Sequence, residues 1–102
     1  MFVHHVFFWL HDHLGADDIA LFEKVVATLP TIEHVQFGSV GKPATTSRPV
    51  IERSYTYSLL LVFANKAAHD AYQPHPVHQQ FIDTCAHLWS KVLIYDSESI
   101  AG

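Results

Sequence analysis

Three titratable side chains, Tyr72, His75 and His78, stand close together in a stretch broken by prolines, Ala71-Tyr72-Gln73-Pro74-His75-Pro76-Val77-His78-Gln79-Gln80-Phe81. Pro76 suits the first position of a helix, where a backbone N–H has no intrahelical partner to lose. His78 then falls in the first turn, near the positive end of the helix dipole, and that field disfavours the imidazolium. A neutral imidazole is what a general base or a hydrogen-bond acceptor must be at working pH. Tyr72 ends the preceding helical run and can present its phenol nearby. The same geometry also allows a purely structural role, in which His75 and His78 cap the helix and satisfy loop carbonyls.

The chain carries nine histidines, at positions 4, 5, 11, 13, 34, 69, 75, 78 and 87. No pair has the spacing of a zinc motif, and the single cysteine, Cys85, supplies neither a thiolate cluster nor an intrachain disulfide. No metal site and no cofactor are therefore expected. His11, His13, His34, His69 and His87 read as solvated. Cys85 shares a helical face with Phe81 and Leu88 and reads as core.

These residues need elements to position them. Residues 2–10 (FVHHVFFWL) are β-branched and aromatic, as a strand requires. Residues 16–29 repeat Ile19, Phe22, Val25, Val26 and Leu29 at helical spacing behind an acidic first turn, and Pro30 stops the helix. Residues 32–40 alternate as a second strand. Residues 41–53 hold two prolines, a glycine and three hydroxyl residues and read as a loop. Residues 54–63 (SYTYSLLLVF) form the clearest strand. Asn65 caps a short helix over 66–73, a second helical run covers 77–90, and 91–97 make the last strand. The order β-α-β-β-α-β is that of the α+β, ferredoxin-like split βαβ motif: a four-stranded antiparallel sheet with its helices on one face. One domain spans 1–102.

Alternate strand residues face opposite sides. Phe2, Val6, Phe8 and Leu10 share one face of the first strand; His4 lies on that side and reads as structural. Val3, His5, Phe7 and Trp9 share the other. In the third strand Tyr55, Tyr57, Leu59, Leu61 and Phe63 oppose Leu60 and Val62. Both faces are apolar, and helices on one side cover only one of them. At ~25 cal/mol per Å2, leaving five such residues in water forgoes on the order of 5–10 kcal/mol, comparable to the stability of a small domain. A second copy packed on the open face resolves this, and the interior of such a homodimer would be an apolar chamber with a few polar groups.

Composition narrows the partners. Apolar residues make up 49% of the 102-residue chain, enough for a packed core. The formal net charge is −4, and the six basic residues (Lys24, Lys42, Arg48, Arg53, Lys66, Lys91) are scattered, so no nucleic-acid face is expected. No apolar run is long enough for a membrane span, and Met-Phe-Val-His-His lacks the flanks of a signal peptide. With one cysteine, the expectation is a soluble, cytoplasmic protein.

Over nearly its full length the sequence resembles the stress-responsive α/β-barrel (Dabb) family. The resemblance is carried by His4-His5-Val6, Phe37-Gly38, Tyr55-Thr56-Tyr57, the Tyr72…His75-Pro76-Val77-His78…Phe81 block, and the closing Trp89-Ser90-Lys91-Val92-Leu93-Ile94-Tyr95-Asp96. It implies a ferredoxin-like subunit and a homodimer with a shared β-barrel. One activity in that family is plant polyketide cyclisation, an aldol-type closure of a linear polyketide thioester. By that resemblance His78 corresponds to the base and Tyr72 to its helper. Deprotonating a carbon beside a carbonyl needs a neutral base and a donor for the enolate oxygen. His5 corresponds to a histidine lining the same cavity, and the lining implied around it is Phe7, Trp9, Phe22, Tyr57, Leu59 and His75. Tyr57 stands where the cyclase has a further histidine, and Phe22 where it has a tyrosine. Two other readings are a non-enzymatic stress or interaction protein, its barrel interior a packed interface, and a cofactor-free monooxygenase of the wider dimeric α/β-barrel superfamily.

Overall fold

The computed structural model describes residues 1–101. The elements run β1 (Phe2–Leu10), α1 (Ala16–Val26), β2 (Phe37–Gly41), β3 (Tyr57–Phe63), α2 (Lys66–Tyr72), α3 (Pro76–Cys85) and β4 (Trp89–Glu98). The strands form one antiparallel sheet in the order β2-β3-β1-β4, the ferredoxin-like arrangement. The two central strands are those whose sequences are apolar on both faces.

On one side of the sheet the alternation of β1 and β3 buries Phe2, Val6, Phe8 and Leu10 with Tyr57, Leu59, Leu61 and Phe63. The helical layer closes over them with Phe22, Val26, Tyr72, Phe81 and Cys85. On the other side Val3, His5, Phe7, Trp9, Leu60 and Val62 are only half-buried. Phe37, beside Val62, and Tyr95, beside His5, extend that face and are exposed. The open apolar face that the alternation requires is therefore present.

Several boundaries differ from the sequence expectation, each for a local reason. Helix α1 ends at Val26 rather than Leu29, because the Thr28 hydroxyl and N–H both donate to the Val25 carbonyl and tighten the turn before Pro30. Strand β2 starts at Phe37, not Ile32; Leu29–Thr31 form a 3-10 turn and the Val35 N–H donates back to Ile32. Strand β3 starts at Tyr57, not Ser54. The Thr56 N–H still donates to the Phe8 carbonyl at 2.7 Å, but Leu10 N–H donates to the Thr56 hydroxyl at 3.0 Å in place of a backbone carbonyl, and the ladder ends there. Tyr55, expected beside Tyr57, accordingly packs on the open face against Phe7, ring centres 4.9 Å apart. Helix α3 ends at Cys85 rather than reaching residue 90. The Leu88 carbonyl accepts from His11 N–H at 3.0 Å and Trp89 pairs with Leu10, so the sheet claims the chain.

Candidate functional site

Helix α3 is capped by His75, whose Nδ1 accepts from Val77 N–H at 3.1 Å, with Pro76 behind it as the first helical residue. His78 sits in that first turn. Its Nδ1 lies 2.8 Å from the Gln73 carbonyl oxygen. A carbonyl can only accept, so Nδ1 carries the proton and donates, and Nε2 keeps its lone pair. Burial holds the His78 pKa below the usual histidine value; the Gln73 contact opposes this, and nearby His69 reinforces it. The result is a half-buried imidazole with a fixed tautomer and a free acceptor nitrogen.

Tyr72 closes helix α2 and lies against His78, ring centres 4.8 Å apart. Its side chain is 1% exposed, and burial raises the phenol pKa well above the ordinary value, so it remains a proton donor. The pair named from sequence is thus brought together. Phe22 and Leu59 lie in the same layer as buried core residues. Phe22 stacks towards Tyr57 and Phe8 at 5.1 and 5.2 Å.

Tyr57 reaches the opposite end of that layer. Its hydroxyl donates to the Glu23 carboxylate. Burial, and then Glu23, raise the Tyr57 pKa to about 12. Lys42 stands 3.8 Å from Glu23, and a recess of about 280 Å3 opens among Glu23, Val40, Gly41, Lys42 and Tyr57. His75 is occupied as a cap, and its Nε2 lies 3.7 Å from Glu33.

His5, Phe7 and Trp9 are not in this layer. They project from the opposite face of β1, where Phe7 and Trp9 line a recess of about 190 Å3 with Glu52, Tyr55, Leu93 and Tyr95. Trp9 Nε1 donates to Ser54 Oγ at 3.0 Å, and Lys91 lies over its ring at 4.5 Å, so the chain's own loop fills part of that face. A cavity shared within one protomer by His5, Tyr72 and His78 does not form, because the sheet stands between them.

The histidine that joins Tyr72 is instead His4. It is 4% exposed, its Nδ1 lies 2.6 Å from Asp96 Oδ1, and its ring centre is 6.1 Å from that of Tyr72. Adjacent histidines on a strand face opposite ways, and both faces of β1 are apolar, so no pattern in the sequence distinguished them. His69, expected in solvent, is also buried, stacked on Phe2 with ring centres 4.4 Å apart. Its place on the inner side of the short helix α2 was concealed by flanking Lys66 and Asp70, which pair with each other at the surface.

The family model for the stress responsive A/B barrel domain, Dabb, matches residues 2–99. No curated protein sequence matches the chain. Among solved structures, a Dabb family protein with a ferredoxin-like fold from Mesorhizobium loti superposes with a TM-score of 0.76 at 24% identity, over 98% of this chain and 97% of that one. A dimeric ferredoxin-like protein of unknown function from Thermobifida fusca gives 0.77 at 16% identity, over 96% and 90%. A hydroxynitrile lyase from Passiflora edulis gives 0.78 at 15% identity, over 99% and 94%. At these identities the superpositions establish the fold.

Proposed function

The chain belongs to the stress responsive A/B barrel domain (Dabb) family, and from that premise we propose that it forms a homodimer and transfers a proton on a small hydrophobic carbonyl or acyl compound, with His78 as base and Tyr72 as donor. The observation that carries this reading is the His78 tautomer. Donation from Nδ1 to the Gln73 carbonyl leaves Nε2 unprotonated beside a buried phenol. A base with a free lone pair next to a group that stays protonated is what enolate formation needs. The Passiflora neighbour is a lyase, so the backbone plan tolerates small-molecule chemistry. Homodimerisation is supported by the half-buried face of Val3, Phe7, Leu60 and Val62 and by the dimeric Thermobifida neighbour.

The test is deuterium exchange at the carbon between the two carbonyls of an acetoacetyl thioester, followed by NMR in D2O. The wild-type protein should accelerate exchange. His78→Ala should lower the protein-dependent rate by roughly 10²-fold or more, the size of a lost general base, with an unchanged far-UV spectrum. Equal rates for folded His78→Ala and wild type refute the base assignment.

A second reading, an interaction protein without turnover, is favoured by the open face. Trp9 is tied to Ser54, and the recess beside Phe7 measures only about 190 Å3. It predicts no exchange above background in either protein.

A further inference from the structure

Three side chains that neither reading uses converge on the helix-covered side of the sheet. His4 comes from β1, Asp96 from its register partner on β4, and His69 from α2. Each offers one ligand atom, and these atoms all lie within 4.8 Å of one another. We propose that His4, His69 and Asp96 bind one divalent transition-metal ion of the zinc or cobalt kind.

The donor set is two imidazole nitrogens and one carboxylate oxygen, which suits zinc and its first-row neighbours and is poor for magnesium or calcium. Around a tetrahedral ion with bonds of about 2.1 Å the ligand atoms stand about 3.4 Å apart, so separations reaching 4.8 Å must close by up to about 1.4 Å and the 2.6 Å His4–Asp96 contact must open. His69 must supply that approach, giving up its Gln73 contact, while the Asp96 side chain, 41% exposed at the sheet edge, opens its own contact to His4. The ion takes the place of the proton now held between His4 and Asp96. The two histidines are 4% and 9% exposed. They sit on a central strand and a packed helix, which limits the rotamer entropy lost on binding. His69 is further held by Asp70, 3.1 Å from Nδ1, and by Gln73, 3.0 Å from Nε2. Ligation through Nε2 would displace the Gln73 amide and keep the Asp70 contact, the carboxylate support usual for a ligating imidazole. Three protein ligands leave a coordination position for water or substrate, as in catalytic rather than structural zinc sites. The exposed edge at Asp96 gives access to it.

Chelator-treated protein is titrated with Co2+, read by its visible absorption, and with Zn2+, read by calorimetry. The wild type should take up one ion per chain. Asp96→Asn and His69→Gln should each weaken binding by more than about tenfold, the loss that even changes behind the ligands produce. The exposed His11–His13 pair, ring centres 5.3 Å apart, is the competing adventitious site, and the double variant His11→Ala/His13→Ala should bind as the wild type does. Asp96 is partly exposed, so Asp96→Asn decides the matter if His69→Gln fails to fold. No uptake by the wild type, undiminished uptake by folded Asp96→Asn, or loss of uptake in the His11/His13 variant overturns the proposal.

Discussion

At the scale of single residues, His78 is defined by what its other nitrogen does. The Gln73 carbonyl fixes the tautomer, and burial lowers the pKa below 6.5. A lowered pKa keeps the base unprotonated further into acid. Catalysed exchange should therefore persist below pH 6.5 and fall only as the pH drops through the lowered value. A profile of kcat/KM against pH checks this, since it reports the free protein's base. An acid limb centred above 6.5 would show that burial does not govern this group. The Tyr72–His78 pair could be named from sequence because five residues separate a helix end from the next helix's first turn, a local relation. The His4–Tyr72 contact could not, because it depends on which face of β1 the helices cover.

At the scale of elements, the link between α1 and β2 shows how little space the fold leaves. Gly38 lies where a Cβ would meet Pro30 Cβ at 2.7 Å and Leu61 Cδ2 at 2.9 Å. Both neighbours belong to packed segments, so Gly38→Ala should destabilise by about 1–3 kcal/mol through overpacking. Urea unfolding measures this directly, and an unchanged midpoint would mean that the Pro30 turn yields freely. The strands and helices themselves were legible: all seven elements stand where β-branched runs, helical periods, Asn65 and the prolines place them. Their ends were not. Thr28, Thr56 and Leu88 each settle a boundary through a hydrogen bond to a particular partner, and two of those partners, Leu10 and His11, are distant in the chain.

At the scale of the whole molecule, the sheet has one face under helices and one without cover of its own beyond the loop near Trp9. Leu60 lies mid-strand on that second face, opposite His5. Leu60→Glu places a charge in the centre of the proposed dimer interface, where desolvating it without a partner is costly. Sedimentation should show a dimer for the wild type and a monomer of intact fold for the variant. A wild-type monomer at micromolar concentration, or a variant that still dimerises, contradicts the shared barrel. No helix among the described residues is long and apolar enough to cross a membrane.

The amino-acid sequence by itself determined the order of elements, the two-sided apolar character of β1 and β3, and the Tyr72–His78 pairing. Each follows from period, propensity or short spacing, which are properties of neighbouring residues. Tertiary structure alone decided that His4 rather than His5 joins the helical layer, that His69 is buried, and that Asp96 completes their cluster. Positions 4, 69 and 96 have no relation along the chain. They meet because β4 pairs antiparallel with β1 and α2 packs across both central strands, and long-range register is set by the packing of the whole core rather than by any local pattern.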